Sequence, residues 1–105
     1  MGAKLRTQGK SQAAPQTGEL IDRSGTLAAG GVSQELAPAF PERAYFMFQN
    51  HSDEDQWLNY GVAAVAGQPS IKVAAGQAYT PAFVDTRAVN VIGATTGKAF
   101  TCKEA

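Results

Sequence analysis

Residues 43–49 read Arg43-Ala44-Tyr45-Phe46-Met47-Phe48-Gln49. Successive side chains of an extended chain point to opposite faces. This run therefore sets Tyr45 and Met47 on one face and Phe46 and Phe48 on the other. A strand with one solvated face alternates apolar with polar, whereas a strand apolar on both sides is buried on both. The stretch is predicted to be the central strand of a sheet. It is followed by polar residues 50–55 (Asn50-His51-Ser52-Asp53-Glu54-Asp55) and then by Gln56-Trp57-Leu58-Asn59-Tyr60. The second run is expected to return antiparallel and to pair aromatic with aromatic across a hairpin.

Outward from this pair, glycine and proline recur at short intervals from Gly25 to Gly97. The runs between them have the length of strands and leave little room for helices of ordinary length. Residues 61–66 (GVAAVA) are short, lack an N-cap and are read as loop or strand end. Further strands are expected at 70–74, 77–80, 88–92 and 98–103, the last after a turn at 94–97. Upstream, 25–28 and 32–36 are expected to form a hairpin around Gly30-Gly31. Many short strands at this spacing define an all-β fold, a small antiparallel β-sandwich or barrel, jelly-roll-like in type. Phe46, Phe48, Leu58, Val73, Val89, Val91 and Phe100 are the expected core.

Residues 1–23 differ in kind. Leu5, Leu20 and Ile21 are their only sizeable aliphatic side chains, and Lys4, Arg6 and Lys10 precede the first acid, Glu19. Such a composition cannot offset its own ordering entropy. The expectation is a flexible or extended N-terminal arm over 1–23, basic at its start, either a disordered tail in the free protein or an arm that orders on a partner with Leu20 and Ile21 as its anchor, ahead of a β domain over 24–105. A domain of that size buries only roughly 60% of its unfolded surface. Tyr45 and Met47 form a surplus apolar face, so a homo-oligomer, most simply a trimer, is expected.

Composition excludes several classes of function. Nine Lys+Arg balance nine Asp+Glu in 105 residues, so the domain lacks the cationic excess that nucleic acid requires. No run of 18 apolar residues is present, so no membrane span is expected, and the N-terminus lacks the apolar core of a secretory signal. One cysteine, Cys102, cannot build a disulfide framework; it is read as a small buried hydrophobe, in a chain made in cytoplasm.

Nor does a catalytic motif emerge. His51 stands beside Ser52, Asp53, Glu54 and Asp55, but adjacent turn residues diverge, whereas a triad converges from separate elements. Three consecutive acids without a glycine do not match a calcium loop. Zinc would need more soft ligands than His51 and Cys102. Residues 93–98 lack the spacing of a phosphate loop and are read as a hairpin turn. The chain is thus expected to be non-enzymatic and to need no cofactor. Trp57 and Tyr60 are candidates for stacking on a ligand.

Four stretches carry a resemblance: Gln49-Asn50-His51-Ser52 closing the aromatic strand, Asn59-Tyr60-Gly61, Ser70-Ile71-Lys72-Val73 before Ala75-Gly76, and Val89-Asn90-Val91-Ile92-Gly93 before Thr96-Gly97. Over residues 43–105 this pattern of strands and turns resembles small β-structured virion proteins of tailed bacteriophages, of the capsid decoration or cement type. It departs from them at Ala74-Ala75-Gly76 and in the alanine-rich residues 62–67. The resemblance implies binding to a major capsid protein on the virion surface, commonly as trimers with terminal arms along the shell. The alternatives are a receptor- or carbohydrate-binding module of a head fibre or tail, with Trp57 and Tyr60 stacking on sugar rings, or a minor neck or tail component. The candidate partner-binding residues are Lys4, Arg6, Lys10, Leu20, Ile21, Tyr45, Met47, Trp57 and Tyr60.

Overall fold

A computed structural model describes residues 18–105. Lys4, Arg6 and Lys10 lie outside them. The described chain folds as two antiparallel sheets packed face to face, a sandwich rather than a closed barrel. Its strands are β1 (Ile21–Asp22), β2 (Gly25–Thr26), β3 (Gln34–Ala37), β4 (Phe46–Asn50), β5 (Gln56–Tyr60), β6 (Ile71–Val73), β7 (Ala78–Tyr79), β8 (Val89–Gly93) and β9 (Ala99–Glu104). The first sheet has the order β1-β9-β4-β7, with β2 also on β9; the second has the order β3-β8-β5-β6.

Alternation dictates what lies between the sheets. Phe46, Phe48, Leu58, Val73, Val89, Val91, Phe100 and Cys102 all point inward and are buried, joined by Leu27, Leu36 and Ala37. Phe48 stacks on Phe100 at 5.4 Å between ring centroids, and Phe46 meets the rings of Tyr60 and Tyr79 edge-on at 6.4 and 6.5 Å. Gly93 occupies the inward position that follows Val89 and Val91, and a Cβ there would strike the Leu27 side chain. The missing side chain is the space that Leu27 fills.

Several pairings differ from the sequence reading. β4 and β5 do not form a hairpin: β4 pairs with β9 and β7, and β5 pairs with β8 and β6, in the other sheet. The cause is a corner built by Asn50. Its buried amide nitrogen donates to the carbonyls of Glu54 (2.7 Å) and Val73 (2.9 Å), while its Oδ1 accepts from the Ser52 backbone N–H and hydroxyl. These bonds turn the chain across the sandwich instead of back along its own sheet.

Residues 27–33 likewise cross between sheets, so β2 and β3 are not a hairpin. β2 lies on β9 and β3 on β8, tied to each other only through Gln34, whose side chain bonds to Thr26 O and Ala28 N. Residues 94–98 also cross from β8 to β9 rather than closing a hairpin. β4 is central in its sheet, as expected, but only its Phe46-Phe48-Asn50 face is buried, and Met47 and Gln49 are half-buried. No further layer covers that side among the described residues. Residues 61–66 are loop, and no helix is present among the described residues.

Candidate protein-binding surfaces

The two ends of the sandwich differ in chemistry. At one end the chain joins the first sheet. Ile21 and Asp22, inside the segment read as arm, pair with Glu104 and Lys103 of β9. Below them lies a buried acid. Alternation along β9 turns Phe100, Cys102 and Glu104 inward, so a carboxylate enters the core and requires cations. Arg43 Nε donates to Glu104 Oε1 at 2.6 Å and Arg23 Nε donates to Oε2 at 2.8 Å. The side chains of Arg43 and Glu104 are fully buried.

Arg43 also donates through Nη1 to the carbonyls of Asp85 (2.7 Å) and Arg87 (2.8 Å) and through Nη2 to that of Pro38 (2.8 Å). Its guanidinium lies over the rings of Phe40 and Phe46. One side chain thereby fastens β9 to the loops before β4 and before β8. The second loop displays Phe83, two residues ahead of Asp85 and 84% exposed. Leu20 is 52% and Ile21 38% exposed at this same end. Asp85 is held below the usual carboxylate range by its hydrogen bonds from Arg87.

At the opposite end, on the outer face of the second sheet, lies a groove of about 540 Å³. Trp57 and Ile92, cross-strand neighbours on β5 and β8, line it with Ala66, Ala94, Glu54 and Asp55. Lys72 flanks Trp57 on β6. Loop 61–70 folds over the sheet beside the groove, pinned by Asn90 Nδ2 to Val62 O (2.7 Å), Asn59 Nδ2 to Ala63 O (3.2 Å) and Ala64 N to Ser33 Oγ (2.9 Å). Ala64 is buried by this contact, and Val62 and Val65 are left exposed. Glu54 Oε1 is buried with no hydrogen-bond partner among the described residues.

The other candidates are dispersed. Tyr60 follows Leu58 on the inward side of β5, packs on Phe46 and shares a 3.1 Å hydroxyl contact with Tyr79. Burial pushes its hydroxyl pKa upward, and the Tyr79 hydroxyl adds to the shift. Trp57 faces the other side of the sheet, so the two aromatics do not share a stacking surface. Tyr45 and Met47 are half-buried on the first sheet, Tyr45 in a two-way backbone pairing with Ala105 and Met47 across from Lys103.

The polar residues of the corner are structural neighbours rather than a converging set. His51 Nε2 meets Thr101 Oγ1 at 2.8 Å, and Ser52 is engaged with Asn50 and Glu54. Asp53 pairs with Lys98 at 2.8 Å, which lowers its carboxyl pKa. Burial, followed by the charge of Glu104, pushes the Cys102 thiol up to about 12. Among the described residues no group of three or more His, Cys, Asp or Glu side chains is arranged to hold a metal ion, and no helix is long and apolar enough to cross a membrane.

The Arg23–Glu104–Arg43 cluster was missed in sequence. Its signal was there: an acid at the inward phase of a strand demands a cation from elsewhere. Phe83 had no periodic signal, because it stands in a loop. No family model, curated protein or solved structure matches the chain.

Proposed function

We propose that the chain is a structural protein of a tailed-bacteriophage virion, a decoration protein that binds the major capsid protein and reinforces the shell without catalysing a reaction. One observation carries the reading: the end of the sandwich where the chain joins it leaves three large apolar side chains, Leu20, Ile21 and Phe83, in solvent. Large apolar side chains left in solvent toward one end of a domain are the material of protein contacts. Beneath them the Arg43–Glu104 pair holds the supporting loops to β9, so the surface is presented on a braced frame. A rigid anchor loses little freedom on docking, which favours affinity. The resemblance of residues 43–105 to decoration proteins supplies the identity of the partner, and a trimer on the shell would repeat the contact in each copy.

Co-sedimentation with heads built from the major capsid protein of the same phage tests the proposal. The full chain is expected to pellet with heads, and Leu20→Ser/Ile21→Ser and Phe83→Ser to weaken binding at least tenfold. Failure of the full chain to pellet, or undiminished binding by both variants, would overturn it.

A further inference from the structure

We propose that the Trp57 groove receives residues Lys4-Leu5-Arg6 of a second copy of this chain. The groove has an apolar floor, Trp57 beside Ile92, and an acidic end at Glu54 and Asp55. Asp53 is already paired with Lys98, whereas Asp55 is exposed at the groove and forms no ion pair among the described residues. The matching ligand is an extended peptide with one aliphatic side chain flanked by cations. Within residues 1–17 only one such place exists: Leu5 lies between Lys4 and Arg6, and there is no acid in the whole segment. In an extended peptide Leu5 points one way and its two neighbours the other. Leu5 can then rest on Trp57 while the long cationic side chains bend round to the acidic end.

Topology argues for a neighbour's segment rather than the chain's own. β1 pairs Ile21 with Glu104 and Asp22 with Lys103. Followed backwards from Ile21, the chain therefore leaves past the Glu104 end of β9. The groove lies at the other end, where Gln56 faces Gly93 and its side chain approaches the Ala99 carbonyl. To use its own groove, the chain would have to double back along the sandwich and round to the far sheet. A neighbouring copy can offer its groove directly. Seventeen residues extend at most about 56–61 Å, which sets how far the neighbouring groove can lie. Each copy then gives a segment and takes one, a head-to-tail contact that closes into a ring when the rotation allows. This inference does not depend on the capsid reading.

Trp57 is the only tryptophan, so its emission reports on the groove alone. The full chain is expected to show blue-shifted emission and low acrylamide quenching. Leu5→Ser in the full chain should shift the emission to the red and raise the quenching. Trp57→Tyr, which has no reporter but an intact N-terminal segment, is then added in excess to Leu5→Ser. Restoration of the blue shift in this mixture is expected, because wild-type segments reach the reporter grooves of the other variant. Two results would overturn the proposal. Leu5→Ser could emit like the full chain, which means that the segment does not occupy the groove. Alternatively, the excess could leave Leu5→Ser unchanged, which means that each groove is filled by its own chain. Neither result bears on binding to heads.

Discussion

Arg43→Met is the most informative perturbation of this fold. Arg43 makes four hydrogen bonds from a fully buried side chain, one to the carboxylate of Glu104 and three to the carbonyls of Asp85, Arg87 and Pro38. Methionine keeps the apolar stem but removes every donor. Glu104, with no solvent access, is left with Arg23 as its one cation. Breaking a buried pair from one side costs about 3–5 kcal/mol. At roughly 0.05–0.15 kcal/mol per residue, a domain of the size of residues 18–105 has about 4–13 kcal/mol in all. The single change is therefore expected to remove about a quarter or more of the stability. With a urea slope of about 1–1.5 kcal/mol/M, the midpoint should drop by roughly 2–5 M. Circular dichroism follows the sheets, and Trp57 emission follows the far end of the sandwich. The sharper measurement is the cycle with Glu104→Met. The double variant removes both charges and frees Arg23 to turn to water, so it should be less damaging than the two single costs added together. A cost below about 1 kcal/mol for Arg43→Met, or strict additivity in the cycle, would refute the reasoning.

Two further outcomes are expected. Phe46→Ala empties a site bounded by Tyr60 and Tyr79 and should cost about 3–5 kcal/mol by the same urea titration; a loss under about 1 kcal/mol would mean that the core collapses around the gap. For Cys102 the thiol is protonated in both states below its ordinary pKa of 9.0, and from there to about 12 only the unfolded chain ionises. The folded state then binds more protons, so stability should fall as pH rises through this window, by about 1.4 kcal/mol per unit. Urea midpoints at pH 8 and 10 should diverge for the native chain and less for Cys102→Ala; equal slopes would remove the thiol as the cause.

The strands and the core could be read from the sequence because both are written in a period of two. Phe46 and Phe48, or Val89 and Val91, declare a buried face without any knowledge of the partner strand. The partner itself is not written there. Residues 51–55 have the length and polarity of a hairpin loop, yet the chain crosses to the other sheet. The decision rests with Asn50, whose side chain takes a carbonyl from Val73, more than twenty positions away. Residues 27–33 and 94–98 cross for the same kind of non-local reason, the seating of Leu27 over Gly93. For the candidate surfaces, Leu20 and Ile21 were legible as apolar residues in a polar segment. Trp57 was legible as an aromatic, but its face was not separated from that of Tyr60, although counting three positions along one strand places them on opposite sides.

The margins of the two sheets have a consequence for how this protein tolerates crowding. On the first sheet the outer strands β1, β2 and β7 are two residues long; on the second, β6 has three, and β3 carries a shift in register between Glu35 and Ala37. An exposed backbone ladder is what lets one protein template another into a shared sheet, and short or bulged margins remove the template. Among the described residues the sheet margins offer no long run of unpaired amides to zip one copy to another. Association through these margins is therefore left to side chains, which can be selective and reversible, rather than to a shared backbone ladder.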